Sequence, residues 1–178
     1  MIVCIDVHYS DETATAAAIV FSDWNDEAPI AERVRSGPIA APYVPGQLYL
    51  RELPPIIDIL SKIDSYPIDC VIIDGNVWLD ENHRPGLGAH LYQAMLERDN
   101  CDAKTTVIGV AKNHFFTAPN LAKINRGSSQ RPLYVTSVGI DLEVAADRIH
   151  AMAGDFRIPD LLKRADSLCR EYVEPMAG

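Results

Sequence analysis

Four consecutive apolar residues, Cys70-Val71-Ile72-Ile73, close on Asp74-Gly75 and leave little freedom over how this chain can fold. A strand that is apolar on both alternating faces has to be covered on both, as in a central parallel strand between layers of helix. The segment from Thr105 to Val110 repeats the pattern. Other strands read around this pair. Residues 1–9 and about 14–22 are apolar and are joined by Ser10-Asp11-Glu12, which predicts a β-hairpin; residues 29–36 form a third strand ending at Gly37-Pro38. Leu133 to Val138 is a further strand, and the polar stretch 113–131 before it reads as a loop.

Helices fill the intervals. Ile56, Ile57, Leu60 and Ile63 recur at helical spacing, predicting a helix from about Glu52 to Ile63 with Pro54 and Pro55 in its first turn. Gly86 to Glu97 is a second helix, with Leu87, Leu91, Ala94 and Met95 on one face. Residues 141–153 and 160–171 are amphipathic, with Asp141 and Asp160 as their N-caps. A meander followed by alternating helices and strands predicts a mixed-sheet α/β fold flanked by helices. Its 178 residues suit one domain, 1–178.

No apolar run reaches the roughly 18–20 residues of a membrane helix, and the opening MIVCIDVHYS reads as a strand rather than a signal peptide. Cys4, Cys70, Cys101 and Cys169 form no C-x-x-C pair. Reduced thiols in a cytoplasmic protein are expected, without a zinc site. The net charge of −9 weighs against nucleic-acid binding, because neutralising phosphates supplies much of such a protein's affinity. Local basic groups stand against it: Arg33, Arg35, Lys104, Lys112, Lys123, Arg126 and Arg131.

Asp6 and Asp74 carry the first chemical clue. Alternation along the first strand puts Cys4 and Asp6 on one face and Ile5 and Val7 on the other. Asp74 ends a buried strand, where α/β sheets gather functional groups. Two carboxylates at one sheet end repel, and a hard divalent ion such as magnesium or manganese relieves the repulsion. Asp74-Gly75 is also an ordinary turn signal, and Asp6 also precedes a hairpin. The residue types alone leave both readings open.

The string PYVPGQLYLRELP, from Pro42 to Pro54, resembles the PYIPG…FRE signature of the endonuclease V family. Further matches follow in order: Asp74-Gly75; Gly86-Leu-Gly-Ala-His-Leu91, similar to the family's Gly-Leu-Ala-Ser-His-Leu; Ile108-Gly-Val-Ala-Lys112, similar to its IGVAK; and Tyr134-Val135 with Asp141-Leu-Glu143. The resemblance implies an RNase H-like core and a metal-dependent endonuclease, with Mg2+ or Mn2+, that cuts 3′ to inosine or deoxyinosine in DNA or RNA. It implies Asp6, Glu52 and Asp74 at the metal, and Lys112 beside the scissile phosphate countering charge in the transition state. Tyr43 would wedge between bases, and Gly46, Leu48, Gly75 and Gly109 would line a tight pocket for the flipped base.

The pattern also departs from the family. Where the family has a histidine triplet after its last strand, the stretch Val135 to Asp141 contains no histidine, so Asp141 is either a fourth metal ligand or a helix cap. The family's His-Pro-Arg is replaced by Asn82-His83-Arg84-Pro85, which leaves His83 either at the site or exposed. Two other readings therefore stand beside an active, monomeric inosine endonuclease: a related protein that binds without cutting, and an RNase H-like nuclease with another substrate.

Overall fold

The computed structural model describes residues 1–10, 12–42, 44, 47–63, 67–97, 105–114 and 121–172. Among these residues seven strands form one sheet: β1 (Ile2–Ser10), β2 (Thr13–Phe21), β3 (Ala31–Pro38), β4 (Cys70–Asp74), β5 (Thr106–Ala111), β6 (Ala122–Ile124) and β7 (Leu133–Val138), in the order β3-β2-β1-β4-β5-β7-β6. The apolar run of β4 lies at the centre and pairs in parallel with β1 and β5. The other pairings are antiparallel.

Helices cover both faces. Val3, Ile5, Val71, Ile73 and Val107 meet α1 (Tyr49–Leu60) and α2 (Leu87–Leu96) on one side. Cys4, Ile72, Ile108 and Val110 meet α3 (Leu142–Ala151) and α4 (Asp160–Glu171) on the other. The period-two alternation of the strands thus divides one sheet between two cores. Four alanines keep β2 slim, and α1 and α4 press on it from opposite sides. Cys4, Cys70 and Cys169 are buried free thiols, and Cys101 lies outside the described residues. Among the described residues no helix is long and apolar enough to cross a membrane.

Three expectations need correction. The first long helix starts at Tyr49 rather than near Glu52, because the Arg51 and Glu52 amides already donate to the Leu48 carbonyl at 2.9 and 3.2 Å. Pro54 and Pro55 therefore lie inside α1, where they deprive the Leu50 and Arg51 carbonyls of their usual donors. The stretch 113–131 contains β6, a three-residue edge strand on β7 that is too short to leave a periodic signal. Asp160 is the first residue of α4, and Pro159 occupies the cap position without a side-chain bond. Asp141 caps α3 as read.

Candidate active site

The parallel pairing of β1 with β4 stops at Ile5 and Ile73, and there the sheet opens into a cavity of about 500 Å³. Among the described residues four carboxylates line it, each from a different element: Asp6 of β1, Glu52 of α1, Asp74 of β4 and Asp166 of α4. On α1, Tyr49, Glu52 and Ile56 share the face turned to the cavity. The early start of the helix is what includes Glu52 in that face.

The position of Asp74 depends on the loop that follows it. Gly75 has φ +128°, and its amide donates to the Val110 carbonyl at 3.1 Å. Two residues on, the Val77 amide donates to Thr136 Oγ1 at 2.9 Å. Gly109 lies directly beneath this loop. A Cβ there would stand 2.6 Å from the Gly75 carbonyl oxygen and 2.8 Å from Thr136 Oγ1. Gly109 thus works behind the site by letting the loop settle on β5, and it does not line the cavity.

Asp166 is held by the anchorage of α4. Its neighbour Arg164 forms a forked pair with Glu32 of β3, both bonds at 2.7 Å. The corner between α3 and α4 is gathered around Arg126, which is buried. Its guanidinium donates to the carbonyls of His150 (3.2 Å), Phe156 (3.1 Å), Gly154 (3.1 Å) and Met152. Arg157 donates to the Pro132 carbonyl at 2.7 Å and to that of Lys112. Arg126 was offered by the sequence as a basic group for phosphates; instead it braces the chain internally.

Crowded carboxylates cannot all stay charged in a half-buried site. Burial, reinforced by the charge of Asp74 and a hydrogen bond with Asp166, pushes Asp6 up to about 7. Burial and the charges of Asp74 and Asp6 raise Glu52 to about 7 as well. Asp166 goes the other way: burial would raise it, but hydrogen bonds from Arg170 and Asp6 outweigh this and lower it. Lys112 Nζ donates to Asp74 Oδ2 at 2.8 Å; burial opposes its charge, and this bond with the nearby carboxylates prevails, leaving its pKa raised.

A second cavity of about 180 Å³ reaches the same carboxylates from the α4 side. Asp6, Asp74 and Asp166 line both spaces, and Lys112 and Lys163 line the second alone. Among the described residues no three His, Cys, Asp or Glu side chains are drawn together tightly enough to cage a metal as they stand. The donor set still fits one. It consists wholly of hard oxygen ligands, crowded enough that a divalent ion would relieve their repulsion.

The sequence-derived residues are therefore distributed unevenly. Asp6, Glu52, Asp74, Leu48 and Gly75 line the larger cavity, and Lys112 the smaller. Asp141 is absent from both: its Oδ1 accepts the Glu143 and Val144 amides at 3.0 and 3.2 Å, the helix-cap alternative. His83 also lies outside them, in an exposed turn at φ 57° with its ring edge against Trp78. Tyr43 and Gly46 fall outside the described residues. Asp166 was missed, because a charged residue on an amphipathic helix reads as part of a solvated face.

Known proteins resemble the chain in sequence and in fold. The family Endonuclease V matches residues 1–139. Endonuclease V of Streptomyces coelicolor is 34% identical over 195 residues, covering 97% of this chain and 79% of that protein. The Streptomyces avermitilis protein of the same name is 33% identical over 193 residues, covering 96% and 79%. The crystal structure of the catalytic domain of human Endonuclease V matches with a TM-score of 0.75 at 26% identity, over 96% of this chain and 80% of that one. Ciona intestinalis Endonuclease V, solved with a 24mer DNA containing an inosine followed by a ribo-adenosine, gives a TM-score of 0.76 at 20% identity, over 96% and 84%. The fold is the RNase H-like α/β arrangement expected from the sequence.

Proposed function

The chain belongs to the Endonuclease V family and is an endonuclease; on that footing we propose that it hydrolyses the phosphodiester bond 3′ to inosine or deoxyinosine in DNA or RNA, with magnesium or manganese. The observation that carries this reading is the convergence of Asp6, Glu52, Asp74 and Asp166 on one cavity from four separate elements. Aspartates placed where the parallel pairing of β1 and β4 stops, with two helical carboxylates beside them, suit hard divalent ions.

Asp6, Asp74 and Asp166 are the residues to hold the metal, with Glu52 completing the set or holding the attacking water. The ion supplies Lewis acidity to the phosphate and to that water. The protein does the rest. Glu52 stands at the cavity wall ready to accept a proton from the water. The Lys112 ammonium beside Asp74 offsets negative charge building on the phosphate oxygens. Leu48 and Gly75 border the space for the flipped base, and the φ of Gly75 lets backbone rather than side chain face it. Gly109 supports that wall from behind. Tyr43, by family resemblance, is the wedge that keeps the strand open.

The test is direct. Labelled inosine-containing single-stranded DNA and RNA are incubated with the protein, with and without manganese, beside Asp74→Ala. Metal-dependent cleavage at one position by the native protein, and none by the variant, is expected. Intact DNA and RNA in every metal condition overturns the proposal.

A further inference from the structure

A chain with a net charge of −9 can bind a nucleic-acid strand only if a few cations are well placed. Several cations near the site are already engaged. Arg126 and Arg157 hold backbone carbonyls, Arg164 is paired with Glu32, and Lys112 with Asp74. Two more stand on α4, of which Arg170 is also paired, with Asp166. Lys163, Asp166 and Arg170 follow at steps of three and four residues and so share one face of the helix, beside the buried stripe Leu161, Ala165 and Cys169.

The two cavities separate these cations. Arg170 lines only the larger and Lys163 only the smaller, whereas Asp6, Asp74 and Asp166 line both. The carboxylates thus lie between a positive charge on one side and a positive charge on the other. From 163 to 170 the helix rises roughly 10.5 Å. That is long enough for the two cations to meet different phosphates of one strand.

Arg170 is also held in place before any ligand arrives. Its Nε and Nη2 donate to Asp166 Oδ1, each at 2.9 Å, and its Nη1 lies 3.4 Å from His8 Nδ1 on β1. These contacts leave guanidinium N–H groups to spare for an incoming oxyanion. Lys163 Nζ rests 5.8 Å from the centre of the Phe156 ring and is otherwise exposed.

We propose that α4 is the strand-binding element of this site, with Lys163 and Arg170 holding the phosphates on either side of the one that is cut. The proposal rests on the endonuclease reading above and adds the path of the strand, from the smaller cavity across the carboxylates to the larger.

Binding of a fluorescent inosine-containing single-stranded DNA, with calcium as the divalent ion, is measured by anisotropy across a series of salt concentrations. Lys163→Gln and Arg170→Gln should each lower the slope of log K against log salt by about 0.7 and weaken binding about 5-fold at 0.1 M salt. The double variant should lower the slope by about 1.4. Lys163→Arg and Arg170→Lys should restore it, since the charge returns. Lys62→Gln, in the turn after α1, should leave it unchanged. Slopes that stay native in both glutamine variants overturn the proposal, as does an equal fall in Lys62→Gln. A fall in melting temperature with a native slope marks Arg170 as structural and also overturns it. Native protein that neither binds nor cuts the inosine strand overturns the endonuclease reading itself, a different outcome from native binding with unaltered variant slopes.

Discussion

Asp6 projects from an interior strand of the sheet and Asp166 from a helix laid over it, and one hydrogen bond joins them. Both line the same two cavities. Their surroundings nevertheless treat charge in opposite ways. Asp6 has apolar β-sheet around it and Asp74 beside it, so it resists ionisation; Asp166 has the Arg170 fork and favours it. The strand supplies a carboxylate kept in an uncomfortable state, and the helix supplies one whose charge is already balanced. A site built from both can receive a divalent ion without rearranging every partner, because the least comfortable group gains most from the ion's arrival.

Substitutions can break this contrast. The largest effect is expected on cleavage: Asp6→Asn should reduce the single-turnover rate by about 10³-fold or more, and Asp166→Asn by a smaller factor, about 10²-fold. Equal losses would mean that the two carboxylates are interchangeable. Loosening α4 without touching its acid comes next. Arg126→Met strips the donors from the carbonyls at the α3–α4 corner and should cost about 3 kcal/mol in urea unfolding. Activity should fall even where the protein remains folded, because Asp166 is no longer held against Asp6.

Proton linkage gives a third, smaller effect. The folded-state pKa values of Asp6 and Glu52 lie above their ordinary 3.8 and 4.5, at about 7. Their contribution to stability is thus complete below about pH 4 and is lost as pH rises to about 7. Metal-free Asp6→Asn should then be more stable than native protein at pH 8, on the order of 2 kcal/mol, with the difference vanishing at pH 4. Manganese should raise the melting temperature of the native protein at pH 8 and leave that of Asp6→Asn nearly unchanged. Asp166 reverses the sign: its lowered pKa stabilises at neutral pH and fades as pH falls through that lowered value. Asp166→Asn should accordingly lower the melting temperature at pH 8, by only about 1–2 °C because the Arg170 pair is largely exposed.

The same contrast explains what the sequence discloses. Asp6 and Asp74 interrupt apolar strands, and a polar residue in such company stands out against a period of two. Glu52 is legible through the string around it. Asp166 sits among Lys163, Arg164 and Arg170 on an amphipathic helix, where one more charge is unremarked until the helix docks. Arg126 fails for the converse reason. A basic residue in a Gly-Ser loop reads as solvated, and only the carbonyls of a distant corner reveal that it is buried. The fold was easier, because the buried runs of β4 and β5 require helices on both faces wherever the individual helices begin.

Asp6 lies in the first strand and Asp166 in the last helix, and the cavity needs both. Closing that contact spans almost the whole described chain, which makes it among the costliest loops to close during folding. Folding intermediates in which β1 has paired but α4 has not docked therefore hold at most three of the four acids together. The completeness of the cavity thus reports on the docking of α4 onto the sheet, a tertiary event, rather than on the formation of the sheet itself.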